Sequence, residues 1–432
     1  MAGAGLYLLL NVILVRLLEP EDVGFFFICL SVATGAALFA QMGVSQAATK
    51  LISEALSLGR YDILSRLVTK ILVTCSIGIL LVALMLFFGV GDLLFSVLFR
   101  SPHLSALLPW VTFWMATTAL LIVLSEAFRG FHDIRSAVLL GGSQSSGVLS
   151  VGITILVWIV LGLFGVTMDL GTVIKSLVGV SAVVIFFALF RLARQVNIAK
   201  CMQSNADGQA TISNHLLPLL PSFFLVSATV YVLQQSDLWV VAAIGGPEQT
   251  AIYGSVSRLV FAIGLPLMIV NGVVPPIIAE LLAQGNGRSL ERILRRVTTL
   301  ATIVAAVGVT IVILAGERIL LLLFGSYYVD GYPILVILSL GKLVNVMAGS
   351  SGLVLLMGGQ HRLAMLIGVS IAIPTLIIAS FTATRYGSIG VAVVFAVSLV
   401  IQNALMVFAA KRTLDVRTYA GWFSLRELRR LQ

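Results

Sequence analysis

Long apolar runs separated by short polar turns define the organisation of this chain. Runs of about 17–25 residues have the length at which an α-helix crosses a lipid bilayer. Glycine, proline and charged residues lie between the runs and are typical of turns. The pattern predicts twelve helices, at residues 4–18, 24–43, 68–90, 105–127, 135–163, 171–192, 216–244, 250–276, 297–315, 332–357, 361–383 and 388–411.

The same pattern occurs twice along the chain. An acidic turn, a long apolar run and a basic amphipathic segment follow one another at residues 18–68 and again at residues 245–297. Ordered matches at a separation of about 222 to 229 residues link Pro20-Glu21 with Pro247-Glu248, Gly43-Val44 with Gly272-Val273, Glu54 with Glu280, Leu98-Phe99 with Leu323-Phe324, Gly130 with Gly359, His132 with His361, and Gly165 with Gly387. An ordered series of this kind indicates an internal duplication, with six helices in each half.

Composition agrees with a membrane location. Of the 432 residues, 59% are hydrophobic and only 10% are charged, and the mean hydropathy is +1.09. Soluble domains carry about 25% charged residues. We therefore predict an all-α polytopic membrane protein, with about twelve transmembrane helices in two six-helix lobes related by a parallel internal repeat. The three cysteines (Cys29, Cys75 and Cys201) have no paired spacing and are interpreted as small buried hydrophobes.

The distribution of basic residues predicts the topology. If the N-terminus is cytoplasmic, 20 of the 27 Lys and Arg residues fall in cytoplasmic segments and five in outer segments. This bias satisfies the positive-inside rule and predicts that both termini lie in the cytoplasm. The predicted parts are an N-terminal lobe (1–192), a cytoplasmic interlobe linker (193–215), a C-terminal lobe (216–411) and a basic cytoplasmic tail (412–432). Two repeats of the same orientation predict lobes that rock around a site at their interface.

The net charge of +9 is interpreted as contact with anionic lipid on the cytoplasmic side, not with nucleic acid. No Walker loop, nucleophile elbow or His-Glu-x-x-His motif is present in the sequence. The four histidines fall at predicted helix ends or in loops, and no extramembrane loop is long enough to build an active site. We therefore expect no enzyme activity, no cofactor and no metal.

The informative residues are ionisable groups at membrane depth. Asp237, Arg258 and Lys342 fall inside predicted helices, and Arg16 lies near the outer end of the first helix. A charge inside a span is costly, so it faces a water-filled cavity or pairs with another charge. Further polar side chains predicted to line the translocation cavity are Asn11, Gln41, Gln46, Gln234, Asn271 and Asn345.

Two interpretations of these charges stay open. Arg258 and Lys342 either line a cavity that binds an anion or form internal ion pairs with Asp237 that fix helix packing. Arg16 either joins the cavity or extends outward to the interface. Asp237 is either a counter-ion or a proton carrier. Three prolines in the eighth helix, which interrupt its hydrogen bonds, either permit bending during gating or simply shape packing: Pro266, Pro275 and Pro276.

Three short motifs carry a family resemblance. The segment Arg16–Phe26, RLLEPEDVGFF, resembles the motif that follows the first helix of bacterial polysaccharide flippases, although Glu19 stands where the family commonly has glycine. The turn Gly43–Ala47, GVSQA, resembles their Gly-Leu-Ser-Gln-Ala turn, and Asp237 followed by Gly246-Pro247-Glu248 and Ile252-Tyr253 resembles the second-lobe version. The chain is identified as a member of the polysaccharide transporter, or O-antigen flippase, family of the multidrug/oligosaccharidyl-lipid/polysaccharide exporter superfamily.

This resemblance implies a flippase that moves undecaprenyl-diphosphate-linked oligosaccharide to the outer leaflet by alternating access. The cargo would be an O-antigen, capsule or exopolysaccharide repeat unit, and the partners would be membrane lipid and the glycan polymerase or other assembly proteins. Two alternatives remain: a multidrug or cation exporter of the same superfamily, and a non-transporting scaffold of a glycan-assembly complex. Since Arg258 and Lys342 outnumber Asp237 at membrane depth, the charge balance favours an anionic cargo.

Overall fold

A computed structural model describes residues 2–57, 59–99, 101–142, 145–201 and 216–421 of the chain. It divides into two compact units, Met1–Gln235 with Gly246–Ala251, and Ser236–Gly245 with Ile252–Gln432. Most of the predicted linker (202–215 of 193–215) and of the basic tail (422–432) lies outside the described residues. The lobe boundaries drawn from the sequence therefore stay a prediction.

The first unit is built from nine helices within the described residues, together with the first part of a tenth. They are α1 (Ala2–Leu17), α2 (Pro20–Gln41), α3 (Val44–Ser57), α4 (Tyr61–Met85), α5 (Gly91–Leu93), α6 (Leu108–Gly130), α7 (Ile134–Leu140), α8 (Val148–Leu163) and α9 (Leu170–Cys201). The π-helical stretches Leu86–Val90 and Leu94–Leu98 join α4 and α5 into one long apolar segment, and the 3₁₀ turn Pro102–Leu107 leads into α6. Helix α2 begins at Pro20, a residue suited to the first turn because it lacks an N–H.

The second unit contains the rest of α10 (Leu216–Ala283), then α11 (Gly287–Leu323), the 3₁₀ turn Ser326–Gly331, α12 (Tyr332–Ala348), α13 (Ser351–Met357) and α14 (His361–Leu414). Two of these helices are interrupted by a glycine with a backbone conformation that other residues rarely adopt. In α10 this residue is Gly246 (φ 73°, ψ −175°). In α14 it is Gly387 (φ 58°, ψ −150°). Each helix therefore consists of two limbs, which in α10 are residues 216–245 and 247–283.

These helices confirm the predicted fold class. Eight helical segments in the described part of the chain are long and apolar enough to cross a membrane, and two shorter apolar helices, Gly5–Leu17 and Val148–Leu163, accompany them. One of the eight, Arg362–Leu414, contains the break at Gly387 and so supplies two spans. With the first limb of α10, the described segments make about twelve spans. Many large apolar side chains on them are exposed, for example Phe186, Leu314 and Phe381, as expected for surfaces that face lipid.

Equivalent turns of the two repeats share an unusual backbone conformation. Gly59 and Gly285 both have φ near 67°, and each directly follows an amphipathic helical segment. Gly165 (φ 71°) and Gly387 (φ 58°) are equivalent positions, whereas His132 (φ 60°) and Gly359 (φ 77°) lie in the same turn of each repeat but two positions apart in the alignment. These left-handed residues end helices at matching places along the two halves. The duplication is therefore visible in the backbone as well as in the sequence.

The predicted continuous helix at 135–163 is wrong in one respect. The chain leaves α7 at Gly141 (φ 89°) and forms a two-residue antiparallel ladder before α8, with Gly141 opposite Ser146 and Gly142 opposite Ser145. Glycine and serine are poor helix formers because glycine gains backbone freedom in the coil and serine competes for backbone hydrogen bonds. The predicted span 332–357 is likewise interrupted at Gly349, between α12 and α13.

Candidate functional site

Asp237 is the acidic member of a polar group that spans the two limbs of α10. Its carboxylate accepts a hydrogen bond from the Tyr253 hydroxyl at 3.1 Å and from the backbone N–H of Leu238 at 2.8 Å. Tyr253 is fully buried, whereas Asp237 is half-buried. Arg258 lies near enough for its charge to act on the carboxylate. Asp237 and Arg258, which the sequence singled out separately, are therefore brought into one group.

Lys342 lies apart from that group, on α12. Its side chain is half-buried and crosses the backbone of α10 at Gly264, where a β-carbon would come within 2.3 Å of the lysine Cε. Among the described residues, Lys342 has no ion-pair partner and no charge that acts on it. The ion pair with Asp237, which the sequence left open, is not found at this lysine in the described part of the chain.

The two asparagines of the second unit are held by polar neighbours. Asn345, one turn after Lys342 on α12, donates to the side-chain oxygen of Asn403 at 3.1 Å. Asn271 on α10 accepts from the Ser350 hydroxyl at 2.6 Å, at the interruption between α12 and α13. Hydrogen bonds between helices compensate polar side chains for the loss of water. Asn345 thus connects α12 to α14, and Asn271 connects α10 to the interruption after α12.

The candidate residues of the first unit are more scattered. Asn11 is buried and donates to the carbonyl of Tyr7 within α1, at 2.7 Å. Gln41 is buried at the end of α2, Gln46 is half-buried on α3, and Arg16 is exposed in the last turn of α1. The side chain of Gln234, on α10, lies outside the described residues. A cavity role for these five residues stays a prediction.

The three prolines lie within the second limb of α10. Among the described residues of α10, only Gly246 has a non-helical backbone, so the prolines do not interrupt the helix. Pro266 borders an apolar groove of about 270 Å³ between α10, α11 and Leu335 of α12. The side chain of Pro276 lies outside the described residues. A gating role for Pro266, Pro275 and Pro276 stays a prediction.

Helix α2 packs along the first limb of α10 and the start of the second, within the first unit. Near one end, a β-carbon at Gly24 would lie 1.9 Å from the carbonyl oxygen of Pro247. Midway, the Tyr231 hydroxyl donates to the carbonyl of Ser31 at 2.9 Å and lies 3.0 Å from the Thr34 hydroxyl. The residue four positions after Pro20 therefore packs directly against Pro247 of the second copy of the motif.

Sequence reasoning missed several of these residues. Tyr253 appeared only as part of a family motif, and Gly264 and Tyr231 carried no signal at all. A buried acidic residue, Glu126 on α6, also escaped notice, and it binds Thr49 of α3 at 2.9 Å and Arg129 at 2.8 Å. A single carboxylate next to an arginine in sequence is too common to indicate a buried network. Among the described residues, no cluster of three or more His, Cys, Asp or Glu residues is placed to hold a metal ion.

Comparisons with known proteins give the family and the fold. The sequence model of a family described as polysaccharide biosynthesis protein matches residues 1–282. No curated protein sequence matches the chain.

Three solved structures illustrate the fold. An inward-facing multidrug resistance transporter of the MATE family and the MOP superfamily has a TM-score of 0.75 and 13% identity, over 96% of this chain and 95% of its own. A MOP superfamily transporter from Pyrococcus furiosus, whose binding pocket is described as having reversed polarity, has a TM-score of 0.66 and 13% identity, over 96% and 93%. The lipid II flippase MurJ, in an inward closed conformation, has a TM-score of 0.55 and 14% identity, over 90% and 87%. The chain therefore has the fold of MOP superfamily transporters.

Proposed function

The chain belongs to the polysaccharide biosynthesis protein family, and from this premise we propose that it is a flippase for undecaprenyl-diphosphate-linked oligosaccharide. The family match confirms the resemblance found in the sequence motifs. The cargo would be a repeat unit of O-antigen, capsule or exopolysaccharide, and transport would proceed by alternating access. The membrane would be the bacterial cytoplasmic membrane, with both termini in the cytoplasm.

The observation that carries this proposal is the half-buried ammonium of Lys342, which has no ion-pair partner among the residues that the structure describes. A cation at membrane depth is costly unless a counter-charge or water compensates it. Within the described residues no carboxylate supplies that charge, and the diphosphate of the carrier lipid would supply it when bound. Arg258 offers a second cation on α10. Asn271 and Asn345 would give hydrogen bonds to the sugars, and the prenyl chain would remain in lipid.

A second candidate is export of small organic cations. It is favoured by the higher structural similarity to the multidrug transporter than to the flippase, with TM-scores of 0.75 and 0.55. A cation site needs an available acidic group. Asp237 is already engaged by Tyr253 and lies within the field of Arg258, so the charge distribution supports anionic cargo instead.

Mass spectrometry of lipid-linked glycan in the host membrane tests the proposal. The gene is deleted, restored, and restored with Arg258→Ala or Lys342→Ala. We expect undecaprenyl-diphosphate oligosaccharide to accumulate on deletion and to return to normal only with the intact gene. Unchanged lipid-linked glycan, in a strain without a second flippase, would instead favour small-molecule export. Full restoration by both alanine variants would favour a scaffold for assembly proteins.

A further inference from the structure

Gly264 occupies a position where helix geometry alone does not explain a glycine. It lies within the second limb of α10, and its backbone is not in the left-handed region. Glycine in a helix interior is less favourable than alanine. A glycine inside a helix allows another group to approach its backbone closely.

The group that approaches is the side chain of Lys342. A β-carbon on Gly264 would lie 2.3 Å from the lysine Cε, 3.3 Å from Nζ and 3.6 Å from Cδ. The atom closest to that position is near the flexible end of the lysine. A methyl group there would consequently displace the ammonium, but would not force the two helices apart.

This contact fixes where the ammonium lies. A lysine side chain loses conformational entropy when it is ordered, and a site binds an anion more tightly if this ordering precedes binding. Lys342 belongs to α12, but its stem rests on α10, the helix that also carries Arg258. Arg258 is six residues before Gly264, which corresponds to about 9 Å along the helix axis. The contact therefore seats the lysine stem on the helix that carries Arg258.

We infer that Gly264 is a positioning residue, which seats the Lys342 ammonium against α10 so that it can bind the diphosphate of the lipid carrier. This inference rests on the proposed function and adds to its binding site a residue that has no side chain. The glycine itself does not contact the cargo. It acts by leaving the space that the lysine stem occupies.

Binding of undecaprenyl diphosphate to the purified protein in nanodiscs tests the inference. Gly264→Ala should weaken binding about tenfold, equivalent to about 1.4 kcal/mol, while its melting temperature stays the same or rises because alanine favours the helix. In the Lys342→Ala background, Gly264→Ala should cause no further loss, since the displaced group is already absent. Gly272→Ala is the matched control, because it lies on the same helix with no atom within 4 Å of a new β-carbon, and it should bind normally.

Two results would overturn the inference. One is normal binding by Gly264→Ala when Lys342→Ala is impaired, and the other is an equal loss from Gly264→Ala with and without Lys342. A second readout does not depend on the cargo. It is the rate at which a small, membrane-permeant, amine-reactive reagent modifies Lys342, measured by mass spectrometry. Gly264→Ala should change this rate and Gly272→Ala should not. If wild-type protein fails to bind the lipid, the proposed function fails, whereas an unchanged rate contradicts the seating of Lys342.

Discussion

The hydroxyl of Tyr253 donates a hydrogen bond to the carboxylate of Asp237, with 3.1 Å between the oxygen atoms. The two residues lie on opposite sides of the break at Gly246, so the bond joins the two limbs of α10 side by side. Tyr253 is fully buried, and its hydroxyl therefore needs a partner within the protein. The same bond holds Asp237 close to Arg258.

Removal of this hydroxyl should loosen the limbs of α10. Tyr253→Phe leaves the ring in place but removes a hydrogen bond to a carboxylate, and bonds of that type contribute about 1.5–3 kcal/mol. Thermal unfolding of the solubilised protein should show a lower melting temperature. Tyr386→Phe serves as control because Tyr386 is 69% exposed. Equal melting temperatures for both variants would show that the bond contributes nothing to stability.

The contact between α2 and Pro247 should not accept a side chain. At Gly24, a β-carbon would lie 1.9 Å from the Pro247 carbonyl oxygen, and both groups belong to backbone that cannot move independently. Gly24→Val should therefore destabilise the protein by about 1–3 kcal/mol, the usual cost of overpacking. Gly152→Val is a matched helical control with no atom within 4 Å. A melting temperature for Gly24→Val equal to that of the control would contradict this packing.

Asp133 should make stability depend on acid pH. Burial opposes ionisation of its carboxyl, but hydrogen bonds from the Ser136 hydroxyl and N–H and from Arg191 outweigh burial and hold its pKa below the ordinary value of 3.8. Because the pKa is lower in the folded state, the carboxylate stabilises the protein above pH 3.8 and loses this effect as the pH falls below it.

This dependence can be measured by comparing wild type with Asp133→Asn. The difference in free energy of unfolding should be constant near neutral pH and shrink as the pH falls through 3.8. Asp415→Asn is the control, since Asp415 is exposed and asparagine tolerates its left-handed backbone. A difference that does not change with pH would contradict the assignment to these hydrogen bonds.

The segment 415–421 should stabilise the break between α12 and α13. The Thr418 hydroxyl donates to the carbonyl of Ala348 at 2.9 Å, and the Ala420 N–H donates to the carbonyl of Met347 at 2.8 Å. Thr418 is fully buried, so Thr418→Val should cost about 1–3 kcal/mol by removing a donor from a buried carbonyl. The control is Thr413→Val, an exposed position. Equal unfolding temperatures would mean that this segment does not support the break.

The sequence was sufficient to predict the fold class because membrane-spanning helices can be recognised by their length and apolar composition. The internal repeat was equally accessible, since pairs such as Gly165 and Gly387 keep their order and, in the structure, their left-handed backbone. The interruption after α7 was less accessible. The average hydropathy over 135–163 remains apolar even though Gly141, Gly142, Ser145 and Ser146 leave the helix.

The site was only partly predictable. Asp237, Arg258 and Lys342 could be selected because each is a charged residue within an apolar run. Such a residue can be recognised without a structure, since burying a charge is costly in any fold. Contacts between distant parts of the chain required the fold. Tyr231 meets Ser31 across about 200 positions of sequence, and helical periodicity identifies a face but not the helix that covers it. Gly264 matters through the space it leaves, which a sequence does not display.

Translocation of a lipid-linked sugar by the reconstituted protein tests the central claim most directly. Proteoliposomes carry undecaprenyl-diphosphate-linked disaccharide in the inner leaflet, and a membrane-impermeant lectin reports its arrival outside. We expect transfer by wild type and by Lys411→Ala, an exposed lysine at the end of α14, and strongly reduced transfer by Lys342→Ala. Transfer by wild type no faster than by protein-free vesicles, or equal transfer by Lys342→Ala, would contradict the account.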